Sequence, residues 1–150
     1  MRVVLQRGTQ ASVTVDDEVV SRIDHGLLIL IGIEDADDST EVAWLVGKIS
    51  KMRIFDDAGG KMNLSLMDSA GEALIVSQFT LHAAIKKGNR PSFIRAARPE
   101  KAIPLYEEFC DSLSAALGKK VGRGIFGAMM SVNLTNDGPV TILIDSQDRE

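Results

Sequence analysis

Across Met1 to Val15 apolar residues alternate with polar neighbours, a pattern that suits a strand covered on one face and does not suit a helix. Val3 and Leu5 begin the alternation, and Ala11, Val13 and Val15 resume it. Asp16-Asp17 predicts a turn, after which Val19 to Ile23 forms the next strand. Asp24-His25-Gly26 predicts another turn into Leu27 to Ile33, a run apolar enough to be buried on both faces. A β-meander of short strands is therefore expected.

The periodicity changes after Ile33. Asp38-Ser39-Thr40-Glu41 reads as a helix start, with a capping side chain and acidic charge in the first turn. Val42, Leu45, Val46, Ile49 and Met52 follow at helical spacing. Asp56-Asp57-Ala58-Gly59-Gly60 is a predicted turn, and Leu74 to Ser77 a short central strand. Thr80 to Phe93 is irregular. A second helix is predicted from near Pro99, with Tyr106, Phe109, Leu113 and Leu117 as its apolar stripe and Gly118 as its stop. Pro104 is expected to disturb its first turns. Strands around Ala128 to Leu134 and Val140 to Asp145 complete the order ββββαβ(β)αββ. That order predicts a single α+β domain over residues 1–150, a mostly antiparallel, barrel-like sheet with two covering helices.

The bulk composition narrows the function classes. With 45% apolar and 25% charged residues the chain is an ordinary globular one, without the composition of a disordered or fibrous protein. Cys110 is the only cysteine, which excludes an internal disulfide, and its place in a predicted amphipathic helix suits a buried thiol rather than a nucleophile. No apolar run approaches the ~20 residues that span a bilayer. Met1 to Thr9 reads as a strand and not as a signal peptide, so a cytoplasmic location is expected. No His-x-Glu, paired histidine or carboxylate cluster calls for a metal, and no cofactor is expected. The net charge of −4 argues against a polyanionic partner, but its distribution argues the other way. No acidic residue occurs from Ala73 to Pro99, a stretch that holds Lys86, Lys87, Arg90, Arg95 and Arg98. None occurs from Ser112 to Asn136 either, where Lys119, Lys120 and Arg123 lie.

Two short segments carry more polar chemistry than strand ends need. In Ser77-Gln78-Phe79-Thr80-Leu81, the hydroxyls and the amide can be simple hydrogen-bond partners, or Thr80 can be a nucleophile with His82 two residues on as its base. No third group to orient that pair is visible. In Asn136-Asp137-Gly138-Pro139-Val140-Thr141, a trans Gly138-Pro139 peptide makes a turn before a strand. A cis one turns successive carbonyl oxygens the same way, towards an ammonium group. Arg7 at the end of the first strand is either a surface cation or a guanidinium that holds a neighbouring loop by its carbonyls. Core packing is expected for Met129, and Gly122 to Gly127 is too irregular for a phosphate loop. His25 is expected to be exposed in its turn.

These segments, with Gln6-Arg7, Ala11-Ser12-Val13, Lys61-Met62-Asn63 and Arg90 to Phe93 in the same order, resemble the bacterial-type D-aminoacyl-tRNA deacylases over nearly the whole chain. Both signatures, Ser-Gln-Phe-Thr-Leu and Asn-x-Gly-Pro-x-Thr, stand unaltered. The resemblance implies a metal-independent homodimer that hydrolyses the ester of D-aminoacyl-tRNA, and of glycyl-tRNA. It implies a cis Gly138-Pro139 that reaches into the partner's pocket and takes the α-amino group on its carbonyls, with Arg7 holding the loop. It places Ser77, Gln78, Phe79 and Thr80 at the catalytic site, with Met130 beside the substrate-binding residues Gly138, Pro139 and Arg7. Lys86, Lys87 and Arg90 are candidate tRNA contacts. The alternative class is a non-catalytic nucleic-acid-binding protein on the same scaffold, and a hydrolase of small D-amino-acid esters is a third reading.

Overall fold

The computed structural model describes residues 1–149. Strand β1 (Arg2–Val15) and strand β2 (Glu18–Gly32) form one long antiparallel hairpin where a meander of shorter strands was expected. Asp16 and Asp17 make its turn, both at positive φ (49° and 63°), as a tight two-residue hairpin demands. The expected turn at Asp24-His25-Gly26 is absent, because β2 runs straight through it. Gly26 instead marks a close approach: at φ 151° it lies against Glu72, and a Cβ there would stand 1.8 Å from the Glu72 carbonyl oxygen.

Helix α1 (Ser39–Lys51) begins as its sequence predicts. The Asp38 carboxylate accepts from the Thr40 amide at 2.7 Å, and the Glu41 carboxylate accepts from the Asp38 amide at 3.0 Å. A small hairpin of β3 (Phe55–Asp56) and β4 (Met62–Leu64) follows around the expected turn. Strand β5 (Glu72–Ser77) leads into a 3-10 turn at Phe79–His82. Helix α2 (Pro99–Leu117) ends at Gly118, which is left-handed at φ 66°. Pro104 does not interrupt α2, since both it and Glu100, whose carbonyl loses its usual donor, face solvent. Neither helix is long and apolar enough to cross a membrane.

Strands β6 (Gly122–Arg123) and β7 (Ser131–Asp145) complete a sheet of order β6-β5-β2-β1-β7. The long β1–β2 and β1–β7 ladders are antiparallel, and the shorter β2–β5 and β5–β6 ladders are parallel. The order ends on β6 and β7, which do not pair with each other among the described residues.

Both helices cover one face of the sheet. Val3, Leu5, Leu27, Ile29, Ile31 and Ile75 pack there against Val42, Leu45 and Ile49 of α1 and Tyr106, Phe109 and Leu113 of α2. Each such side chain contributes roughly 1.5–3 kcal/mol on burial. Ala11, Val13, Ile23, Leu28, Leu74 and Val76 make a second cluster, to which the half-buried Leu30, Met130, Val132 and Leu134 attach. Leu5 and Ala11 share the same alternation yet feed different clusters. Gln10, at φ 52° and skipped in both of β1's ladders, breaks the alternation between them.

Candidate active site

The β2–β5 ladder stops at Ser77, opposite Ile31. One further bond, from the Gln78 amide to the Ile31 carbonyl at 2.7 Å, holds the chain before it coils into the 3-10 turn. A cavity of about 340 Å³ opens at this point, lined by Val76, Ser77, Gln78, Phe79, Phe126 and Met130 among others. Its wall is mainly apolar, and Ser77 and Gln78 bring polar groups to it. Phe79 is 57% exposed at the rim. A helical turn leaves its first amides without internal partners, and the Gln78 side chain does not cap this one. The Phe79 and Thr80 amides therefore have no hydrogen-bond acceptor among the described residues.

Thr80 does not line the cavity, and its hydroxyl accepts from the Gln78 side-chain amide. The Thr80–His82 nucleophile pair does not form. The 3-10 turn replaces the extended chain that would have put both residues on one face, so Thr80 is exposed while His82 is buried. Neither imidazole nitrogen has a hydrogen-bond partner among the described residues, and the Glu34 carboxylate lies 3.9 Å from Nδ1.

The second motif lies in a register slip of the β1–β7 ladder. Gln6 pairs with Thr141 and Gly8 with Asn136, so Arg7 alone stands opposite Asp137 to Val140. What read as two strands is thus one strand with a four-residue excursion, Asp137-Gly138-Pro139-Val140. Its Gly138-Pro139 peptide is cis. Asn136 closes the excursion from both sides: its Oδ1 accepts from the Val140 amide at 2.9 Å, and its Nδ2 donates to Thr141 Oγ1 at 3.0 Å. Gly138 sits at φ 135°, and a Cβ there would stand 2.9 Å from the Val140 nitrogen, so no larger residue fits without a shift.

Arg7 is buried, at 6% exposure, and is not a surface cation. Its Nε donates to the Asp137 carbonyl at 3.0 Å, and its Nη1 donates to the Ile54 carbonyl at 2.8 Å and to Asp56 Oδ1 at 3.3 Å. The Asp137 carboxylate lies 3.4 Å from Nε. One guanidinium thus ties the Gly138-Pro139 excursion to the β3–β4 hairpin, a use of its fan of donors that an ammonium could not match.

The fold brings Ser77, Gln78, Phe79 and Met130 around one cavity and leaves Arg7, Gly138 and Pro139 outside it. Lys86, Lys87 and Arg90 sit on the tip of a lobe that the Ala84–Ser92 backbone pair closes. Met129, expected in the core, is 92% exposed at the cavity mouth, because β7 has not yet joined the sheet there. Phe126 and Gly127, from the glycine-rich segment given no role, line the same cavity. Asn136 was also missed, although it stands within the quoted motif. Cys110 is buried, which pushes its thiol up to about 11. No cluster of three or more potential metal ligands is present among the described residues.

Comparison with known proteins agrees over the whole chain. A family described as D-Tyr-tRNA(Tyr) deacylase matches residues 4–145. Curated proteins named D-aminoacyl-tRNA deacylase are 61% identical in Porphyromonas gingivalis, 59% in Flavobacterium johnsoniae and 55% in Bacteroides thetaiotaomicron, each with 100% of both chains covered. A solved structure described as c-Myc DNA Unwinding Element Binding Protein superposes with a TM-score of 0.90 at 42% identity, covering 97% of this chain and 98% of that one. Another, described as a probable eukaryotic D-amino acid tRNA deacylase, has the same fold, with a TM-score of 0.84 at 22% identity. The two motifs, the cavity at the end of β5 and these full-length similarities lead to one conclusion: the chain belongs to the D-Tyr-tRNA(Tyr) deacylase family.

Proposed function

We propose that this chain is a chiral proofreading hydrolase that cleaves the ester of D-aminoacyl-tRNA to tRNA and a free D-amino acid. The observation that carries the reading is a cavity whose polar end is formed at Ser77, Gln78 and Phe79, next to backbone amides of Phe79 and Thr80 that have no acceptor and no nucleophile–base pair beside them among the described residues. Such a site suits an ester that is already activated. Water adds to the carbonyl carbon, the ester C–O bond breaks, and the released 3′-oxygen of tRNA takes up a proton. The neighbouring 2′-hydroxyl of the substrate assists the water, while the amides stabilise the oxyanion. Ser77 and Gln78 orient the substrate, and Thr80 acts through Gln78.

Gly138 and Pro139 present backbone carbonyls to the α-amino group and leave no room for an L side chain. Their excursion lies outside the cavity of its own chain, which supports a homodimer in which each subunit completes the partner's pocket. Arg7 and Asn136 set the excursion in place. Met130 shapes the apolar wall. Glycyl-tRNA, with no side chain to reject, passes the same filter. Lys86, Lys87 and Arg90 contact the tRNA, and the enzyme works in the cytoplasm beside translation.

Hydrolysis of matched D- and L-aminoacyl-tRNA by chelator-treated protein tests the reading. Loss of the D-ester alone is expected, and equal rates on both would end the chirality filter. A D-aminoacyl-tRNA ending in 2′-deoxyadenosine is expected to be a poor substrate; full activity on it would remove the substrate-assisted step. The solved relative described as a DNA-unwinding-element-binding protein favours a second reading, non-catalytic nucleic-acid binding. That reading predicts salt-dependent binding indifferent to the aminoacyl group.

A further inference from the structure

The lobe between the 3-10 turn and α2 takes no part in the ester chemistry, yet it borders the cavity with exposed apolar and cationic side chains. Residues 83–98 return through the Ala84–Ser92 backbone pair, bonded at 2.8 and 3.0 Å, and the Ala97 amide pins them to the Ile33 carbonyl at 2.9 Å. Phe93 emerges next to that pair and sets its ring edge-on to Phe79, with centroids 5.1 Å apart and planes at 79°. Ile94 follows at 86% exposure, and Met129 stands at the cavity mouth at 92% exposure. Leaving large apolar side chains in water forgoes roughly 1.5–3 kcal/mol each, a cost that a contact surface explains.

Charge selects the kind of partner. Lys86, Lys87 and Arg90 at the lobe tip, and Arg98 at its base, have no ion-pair partner among the described residues, whereas Arg95 is held by Glu34 at 2.9 Å. No acidic residue lies between Ala73 and Pro99 to oppose them. Apolar faces beside unpaired cations suit a polyanion that itself has flat apolar faces, which is an unpaired nucleic-acid strand. A duplex keeps its base faces stacked inside and offers only its backbone.

We propose that Phe93 and Ile94, with Phe79 and Met129 at the rim, form a stacking shelf for the unpaired nucleotides preceding the ester-bearing 3′ end, and that Lys86, Lys87 and Arg90 hold their phosphates. The polarity of the strand rests on the reading of the Ser77–Thr80 cavity as the ester-cleaving site. The terminal nucleotide enters the cavity, and those before it leave over the shelf. The chain thereby selects a single-stranded RNA end as well as a D-amino acid.

The test is fluorescence anisotropy with two labelled RNA hairpins, one carrying an unpaired four-nucleotide 3′ overhang and the other blunt. D-aminoacyl-tRNA hydrolysis is measured on the same preparations. The overhang is expected to bind at least about tenfold more tightly to the unaltered protein. Phe93→Leu and, separately, Ile94→Ser are expected to erase most of that preference, with Phe93→Tyr retaining it. Lys86→Ala with Lys87→Ala is expected to lower the slope of log affinity against log salt by about 1.4. Equal binding of both hairpins overturns the shelf, and so does a preference that survives both Phe93→Leu and Ile94→Ser. Hydrolysis without an overhang preference removes the shelf and leaves the enzymatic reading standing. An overhang preference that depends on Phe93 and Ile94, without hydrolysis, keeps the shelf and removes that reading.

Discussion

The two signature motifs are built in opposite ways. Around Asn136 to Thr141 side chains brace the backbone on both flanks: Asn136 bonds to the Val140 amide and to Thr141, and Arg7 holds the Asp137 carbonyl. Around Ser77 to Leu81 the chain is left receptive, with free amides at Phe79 and Thr80, an exposed Phe79 ring and a cavity beside them. Side-chain bonds on both flanks hold a backbone shape, whereas unpartnered amides can receive an acceptor. The proposed roles follow that difference: a fixed backbone at Gly138-Pro139 and a receptive one at Phe79 and Thr80.

Removing Arg7 is the severest way to break this comparison. Arg7→Ala leaves the Ile54 and Asp137 carbonyls and the Asp56 and Asp137 carboxylates without their shared cation. A loss of about 3 kcal/mol in unfolding free energy is expected from denaturant titration, with loss of discrimination between D- and L-esters. Unchanged stability and selectivity would show that the excursion holds itself. Asn136→Ala strips the Val140 amide of its acceptor, and an expected loss of about 1–2 kcal/mol should again come with weaker chiral selection. Wild-type selectivity in that variant would separate the Asn136 bonds from function.

Smaller effects are expected from the exposed parts. Asp56 is half exposed, so Asp56→Ala is expected to cost at most about 1 kcal/mol, shrinking further as salt is raised. A larger, salt-insensitive loss would make Asp56 an equal member of the Arg7 network. Thr80→Ala should leave stability within about 0.5 kcal/mol. Its turnover is expected to fall less than ~100-fold, as a positioning role through Gln78 requires. A loss of several orders of magnitude, or a trapped acyl-enzyme, would restore Thr80 as a nucleophile.

Some of this was legible without coordinates because its causes are local. The Asp38–Glu41 cap, the Asp16-Asp17 turn, the α2 stripe and the Gly118 stop each depend on residues within a few positions of one another. Both motifs were likewise visible as unbroken strings. The continuity of β1 and β2 was not, since alternation shows which residues share a face and not whether a partner strand carries the chain through a weak point such as Gly26.

Placement of the site residues was tertiary throughout. The sequence by itself determined an α+β domain, its helix boundaries and the two segments richest in chemistry. Only the fold put Arg7 opposite the Gly138-Pro139 excursion, because that juxtaposition is a register slip between strands distant in the chain. Only the fold separated Thr80 from His82 by coiling them into a 3-10 turn, and brought Met129 out of the core to the cavity mouth. Periodicity is a property of neighbours in sequence. Register, burial and the meeting of side chains are properties of neighbours in space.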